Sequence, residues 1–142
     1  MEISFRKLTP DTPTPEYKTP GAVAFDIAVT EEGALAPGER KMFRTGLVIR
    51  IPDGHTLILA PRSSNAKKGI QIAHGIGIID QDYCGPDDEL RLFLYNIGTE
   101  SYPIEKYERI AQGMFVPVTK GVFIEPPHWD VKNNRGGFGT TG

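Results

Sequence analysis

At 142 residues the chain has room for one domain, whose core takes roughly two thirds of the unfolded surface out of water. Sixteen lysines and arginines against eighteen acids leave a formal charge of −2, which excludes the diffuse basic field of nonspecific nucleic-acid binding; an anionic ligand must be held by a few local cations. Cys84 is the single cysteine, which excludes an internal disulfide framework; no Cys or His spacing suggests structural zinc, MEISFRKLTP has no apolar leader, and no run nears the ~18 residues that span a bilayer, so the expectation is a cytoplasmic protein with no membrane or nucleic-acid partner.

Ile3 to Leu8 alternates apolar and polar residues and predicts a first strand. Thr9 to Gly21 carries Pro10, Pro13, Pro15 and Pro20, which cannot donate to a sheet ladder, and reads as a surface lead-in. Ala22 to Val29 reads as a strand with one acid, Asp26, between Phe25 and Ile27; on its own this is a residue on the polar face of a half-buried strand. Ala34 to Glu39 is a turn, Lys41 to Ile51 a strand, and Pro52, Asp53 and Gly54 turn the chain again.

Thr56 to Ala60 predicts a strand that ends in PRSSNAKKG. Arg62 offers a planar fork matched to phosphate oxygens, and Ser63 and Ser64 offer hydroxyls to the same group or an N-cap for a short helix; a capped polar turn explains the block equally well.

The stretch from Gly69 to Gly85, GIQIAHGIGIIDQDYCG, organises the rest. Its isoleucines give a β-strand bulk, Gly75 and Gly77 leave backbone that another molecule can approach closely, and Asp80, Asp82 and Tyr83 follow at once. This reads as a nucleobase slot beside a hydrolytic carboxylate.

Leu90 to Ile97 alternates and predicts a strand, Ser101 to Arg109 crosses polar surface, and Ile110 to Val118 is an apolar strand interrupted by Gln112, whose amide bonds either a neighbouring strand or a ligand. Val122 to Ile124 predicts a last short strand. The tail WDVKNNRGGFGTTG cannot build a core; it reads as an arm of residues 129–142 behind a domain of residues 1–128, with Arg135 beside glycine-rich backbone suited to an anion. No segment sustains a 3.6-residue period, so the fold class is all-β.

Five blocks occur in order: PGAVAFDI around Asp26, APRSSNA around Arg62, GIIDQDYCG around Asp80, ERIAQ ending at Gln112, and RGGFGTTG at the end. In them the chain resembles the homotrimeric dUTPases over almost its whole length. The resemblance implies a jelly-roll-like all-β subunit, three active sites each shared between subunits, an arm that closes over a site, and hydrolysis of dUTP to dUMP and pyrophosphate with Mg²⁺. It implies that Asp80 orients and deprotonates the water that attacks the α-phosphate, and that Tyr83 stacks on the deoxyribose. Arg62, Ser63, Ser64 and Gln112 are implied to contact phosphates; Arg135 and Phe138, with Gly139 and Thr140 beside them, hold the terminal phosphate and cover the uracil. Gly75, Gly77, Ile79 and His74 are the implied pocket for the base. Mg²⁺ is expected mainly through the triphosphate and waters, with Asp26 a candidate ligand.

The chain departs from the family's usual pattern in having His74 for Asn, Cys84 for Arg or Lys, an apparent insertion of Pro86 to Asp88, a shorter arginine block, Arg135 two residues nearer Phe138, and Thr140 for Ser. Two other functions stand beside the hydrolase: a dCTP deaminase of the same fold, and a dUTP-binding regulatory protein without catalysis.

Overall fold

The computed structural model describes residues 1–137. Its strands are β1 (Ser4–Lys7), β2 (Phe25–Ala28), β3 (Gly33–Leu35), β4 (Arg40–Arg44), β5 (Leu47–Arg50), β6 (His55–Pro61), β7 (Ile70–Ile72), β8 (Gly77–Ile79), β9 (Arg91–Asn96), β10 (Tyr102–Ile104) and β11 (Arg109–Pro117), with one helical turn, α1 (Asn65–Lys68), between β6 and β7. The described residues form a jelly-roll-like set of open antiparallel sheets, ordered β2-β11-β6-β8, β4-β9-β7, β1-β5 and β10-β3, and none of them closes into a barrel.

Alternation builds these layers. In β6, Leu57 and Leu59 face inward and Ile58 and Ala60 lie half-buried; in β9, Leu92 and Leu94 are buried while Arg91 is exposed. The inward residues meet Phe25 and Ile27 from β2, Phe43 from β4 and Ile49 from β5 in one apolar cluster.

The predicted strand from Lys41 to Ile51 is two strands broken at Thr45 and Gly46. Gly46 sits at φ +70, and a Cβ there would lie 2.4 Å from the Thr12 hydroxyl, so both backbone and space require glycine. The predicted strand through Gly69 to Gly85 is likewise split. β7 pairs with β9 and β8 with β6, so residues 73–76 carry the chain from one sheet to another. Val122 to Ile124 form no strand: residues 118–137 lie beyond β11 without regular structure, and Val122, Phe123 and Ile124 are almost wholly exposed.

α1 ends at Gly69, whose φ of +68 closes it, and is tied to the rest through its last residue. Lys68 Nζ pairs with the Glu108 carboxylate, which also accepts the Tyr102 hydroxyl at 2.7 Å. Burial pushes the Glu108 carboxyl up, but the bonds from Lys68 and Tyr102 outweigh it and hold the group below its ordinary value. For Lys68, burial works against the charge, and the bonds to Glu108 and Tyr102 raise the ammonium above its ordinary value. The Glu108 contribution is therefore complete above its unfolded value of 4.5 and is lost as the pH falls through the depressed folded value; that of Lys68 is complete below 10.5 and is lost as the pH rises through the folded one. Glu108→Gln is accordingly expected to lower Tm at pH 7, and the gap from wild type should start to narrow below pH 4.5 and close as the pH falls through the depressed folded value. Thermal unfolding followed by circular dichroism across that range checks this.

Candidate active site

One sheet carries most of the chemistry. β11 lies between β2 and β6, with Gln112 opposite both Asp26 and Ala60, so the acid, the amide and the Arg62 that follows β6 share one end of the sheet. A bulge between Arg109 and Ala111 sets which side chains face out: Ile110 and Ala111 are both buried in succession, and Gln112 comes out half-buried on the other face.

Asp26 is held between two guanidiniums, Arg62 Nε at 3.0 Å from Oδ1 and Arg109 Nη1 at 2.9 Å from Oδ2. Each oxygen of this carboxylate thus faces a cation. Arg62 also donates to the Arg109 carbonyl at 3.1 Å, and so is anchored before any ligand arrives. Gln112 donates its amide N–H to the Pro61 carbonyl at 3.1 Å. Ser63 is exposed. Ser64 takes the N-cap position of α1 without a side-chain cap bond, and its Oγ is shielded from solvent with no hydrogen-bond partner among the described residues; the Asn65 Oδ1 beside it is in the same condition. A buried polar atom without a partner costs about 1–3 kcal/mol, so this end of the sheet is polar beyond what the fold itself uses.

The other end of β6 belongs to Asp80. β8 runs antiparallel to β6, Gly77 opposite Leu59 and Ile79 opposite Leu57, and the Thr56 hydroxyl donates to the Ile79 carbonyl at 2.7 Å. Asp80 follows β8 directly and is exposed at a cavity of about 410 Å³ lined also by His55, Thr56, Ile79, Asp82 and Lys120. The Gln81 side chain donates to the His55 carbonyl at 3.0 Å and fixes the turn next to the acid. The Asp80 carbonyl accepts the Tyr83 N–H at 3.2 Å, and the Tyr83 hydroxyl donates to the Glu89 carbonyl at 3.0 Å.

The two glycines before Asp80 are there for different reasons. At Gly75, φ is +80 and an added Cβ would meet nothing, so the backbone is open to an approaching group. At Gly77 the Cβ would stand 3.2 Å from Leu59 Cβ and 3.5 Å from His74 Cε1, so this glycine serves internal packing and the exposed His74 ring lies over it. Ile79 is half-buried; Arg135 is exposed in the tail; Phe138, Gly139 and Thr140 lie outside the described residues.

These positions do not form a single cluster within one chain. From position 56, beside Asp80, to position 62 the strand spans roughly 20 Å at about 3.3 Å per residue. Sequence reasoning missed Arg109, Gln81, Thr56 and Glu89. Arg109 and Gln81 stand inside blocks already singled out, and the acid of ELRL at the start of a buried strand was the signal for Glu89.

A dUTPase family model matches residues 11–142. The deoxyuridine 5'-triphosphate nucleotidohydrolase of Nautilia profundicola is 38% identical over 144 residues, covering 100% of this chain and 99% of that protein. Its counterpart from Methylocella silvestris is 41% identical over 138 residues, covering 93% and 84%. Among solved structures, the Staphylococcus bacteriophage 80alpha dUTPase with dUPNHPP superposes with a TM-score of 0.86 at 25% identity, over 99% of this chain and 98% of that one. The Streptococcus mutans dUTPase superposes at 0.75 with 28% identity, over 86% and 98%. The ordered sequence blocks, the jelly-roll-like sheets and these matches along nearly the whole chain agree, and the chain belongs to the dUTPase family.

Proposed function

We propose that this protein hydrolyses dUTP to dUMP and pyrophosphate at sites assembled between subunits of a homotrimer. Family membership and the dUTP nucleotidohydrolase relatives support the reaction. The observation that carries the rest is the separation along β6. An acid suited to activate water stands at one end, a polar end bearing Arg62, Ser64 and Gln112 at the other, and a nucleotide spans both only if a second copy brings its phosphate end to the first copy's acid.

In this reading the backbone around Gly75 to Gly77 takes the uracil, with His74 beside it and Ile79 at the floor, and Tyr83 covers the deoxyribose. Uracil and thymine differ by one methyl, and attraction alone discriminates such a change by only about 1–3 kcal/mol, so selection requires close backbone that a methyl would strike. Asp80 orients a water in line with the α-phosphorus and takes its proton. The new oxygen–phosphorus bond forms as the bond to the bridging oxygen of the leaving pyrophosphate breaks.

Arg62, Ser63, Ser64 and Gln112 are assigned to the phosphates, with Arg109 and Asp26 holding Arg62 in place. Residues 129–142 are assigned as an arm behind the domain of residues 1–128, bringing Arg135, Phe138, Gly139 and Thr140 over the terminal phosphate and base of a neighbouring site.

Among the described residues no three His, Cys, Asp or Glu side chains cluster to hold a metal. In this reading Mg²⁺ would arrive with the triphosphate, with phosphate and water oxygens as its main ligands and Asp26 the candidate protein ligand. When bound it neutralises phosphate charge.

The direct test is pyrophosphate release from dUTP, dTTP, dCTP and UTP, with and without Mg²⁺. Turnover of dUTP should exceed that of each of the others by about 10²-fold or more, the scale that a clash adds to attraction alone. Comparable turnover of dTTP or UTP rules out this base and sugar pocket, and ammonia release from dCTP establishes a deaminase instead.

A further inference from the structure

Tyr83 is 39% exposed and lies in a turn, yet its ring is tethered through the hydroxyl to the main-chain oxygen of Glu89 at 3.0 Å. Glu89 in turn is 1% exposed, and its carboxylate is held by Arg44 Nε at 3.0 Å, the Gly46 N–H at 2.8 Å and Arg91 Nε at 3.3 Å. The backbone beyond it is stitched to the same corner: the Thr45 hydroxyl donates to the Leu90 carbonyl at 2.5 Å, and the Leu90 N–H donates to the Leu47 carbonyl at 2.8 Å.

The segment between Tyr83 and Glu89 closes on itself. The Gly85 N–H donates to the Asp88 carboxylate at 2.6 Å, the Asp88 N–H donates to the Gly85 carbonyl at 3.3 Å, and the Arg6 guanidinium donates to the Pro86 carbonyl. This turn is thus tied off, and the phenol reaches past it to a fixed point. Buried ion pairs add little net stability, and their best-attested use is to hold one arrangement against others.

We propose that Glu89 is a positioning residue for sugar selection. Its buried carboxylate fixes the carbonyl that orients the Tyr83 ring, and the plane of that ring decides whether a 2′-hydroxyl fits. This rests on the reading that Tyr83 covers the deoxyribose.

The test is kcat/KM for dUTP and UTP in the wild type, Tyr83→Phe, Tyr83→Ala and Glu89→Gln, from pyrophosphate release. Tyr83→Phe keeps the ring and removes only the tether; the UTP-to-dUTP ratio should rise about three- to tenfold, the scale of one hydrogen bond. Glu89→Gln should move the ratio in the same direction. A merely structural effect would lower both substrates together and leave the ratio unchanged. If Glu89→Gln does not fold, Glu89→Asp, which keeps the charge but shortens its reach to Arg44, Gly46 and Arg91, takes its place with the same outcomes. A ratio unchanged in Tyr83→Phe but raised in Tyr83→Ala overturns the inference, as does a folded Glu89→Gln with the wild-type ratio. A ratio unchanged even in Tyr83→Ala overturns the sugar placement itself, and the inference with it.

Discussion

Asp80→Asn is expected to lower kcat on dUTP by about 10²- to 10⁴-fold, the contribution of a positioned general base, while dUTP still binds. The amide matches the carboxylate in size and can still accept a hydrogen bond from water, but it cannot take the proton. Asp80 is exposed beyond β8 and makes no side-chain hydrogen bond or ion pair among the described residues, so the variant should assemble and melt like the wild type. Pyrophosphate release gives the rate, and calorimetric titration with dUTP gives the binding. A variant that keeps a tenth or more of the wild-type rate, about 1.4 kcal/mol of barrier, removes Asp80 from proton transfer.

Mixing two inactive variants gives the second large effect. Asp80→Asn removes the proposed base, and Arg62→Ala removes a proposed phosphate contact together with one of the two cations on Asp26. If each site draws its base from one chain and its phosphate contacts from another, a random mixture restores a complete site with a chance of one half times one half, so co-refolded variants should recover about one quarter of wild-type turnover. If one chain supplied both, every site in the mixture would lack a part and recovery would stay near zero. The roughly 20 Å between the two ends of β6 argues for the first outcome. Because Arg62 is also a structural anchor, Arg62→Lys provides a milder second partner: it keeps the charge and loses the fork.

The strands were legible where one face is buried and the other wet, as in β9, because alternation records that condition directly. The short pair β3 and β10 was not. Each strand is three residues long and its partner is distant in sequence, so neither segment carries a local period. The isoleucine-rich stretch misled in another way. A continuous β-branched run states that the backbone is extended but not that residues 73–76 change sheets. Val122 to Ile124 have the composition of a strand but pair with no strand among the described residues.

For the site, residue types were readable and their partners were not. That Asp80 and Tyr83 follow a glycine-notched strand was visible in the letters. That Asp26 meets two arginines, and that Tyr83 leans on Glu89, depends on strand neighbours brought together from far along the chain.

The bulge at Ile110 governs how the molecule tolerates changes in length. β11 is paired on both sides, so gaining or losing one residue within it would turn Gln112 and its successors to the opposite face and disrupt two ladders at once. Between Gly85 and Asp88, by contrast, the chain forms an exposed turn outside the strands, closed on itself by the Asp88 carboxylate. A change of length is therefore disruptive within β11 and absorbed between Gly85 and Asp88.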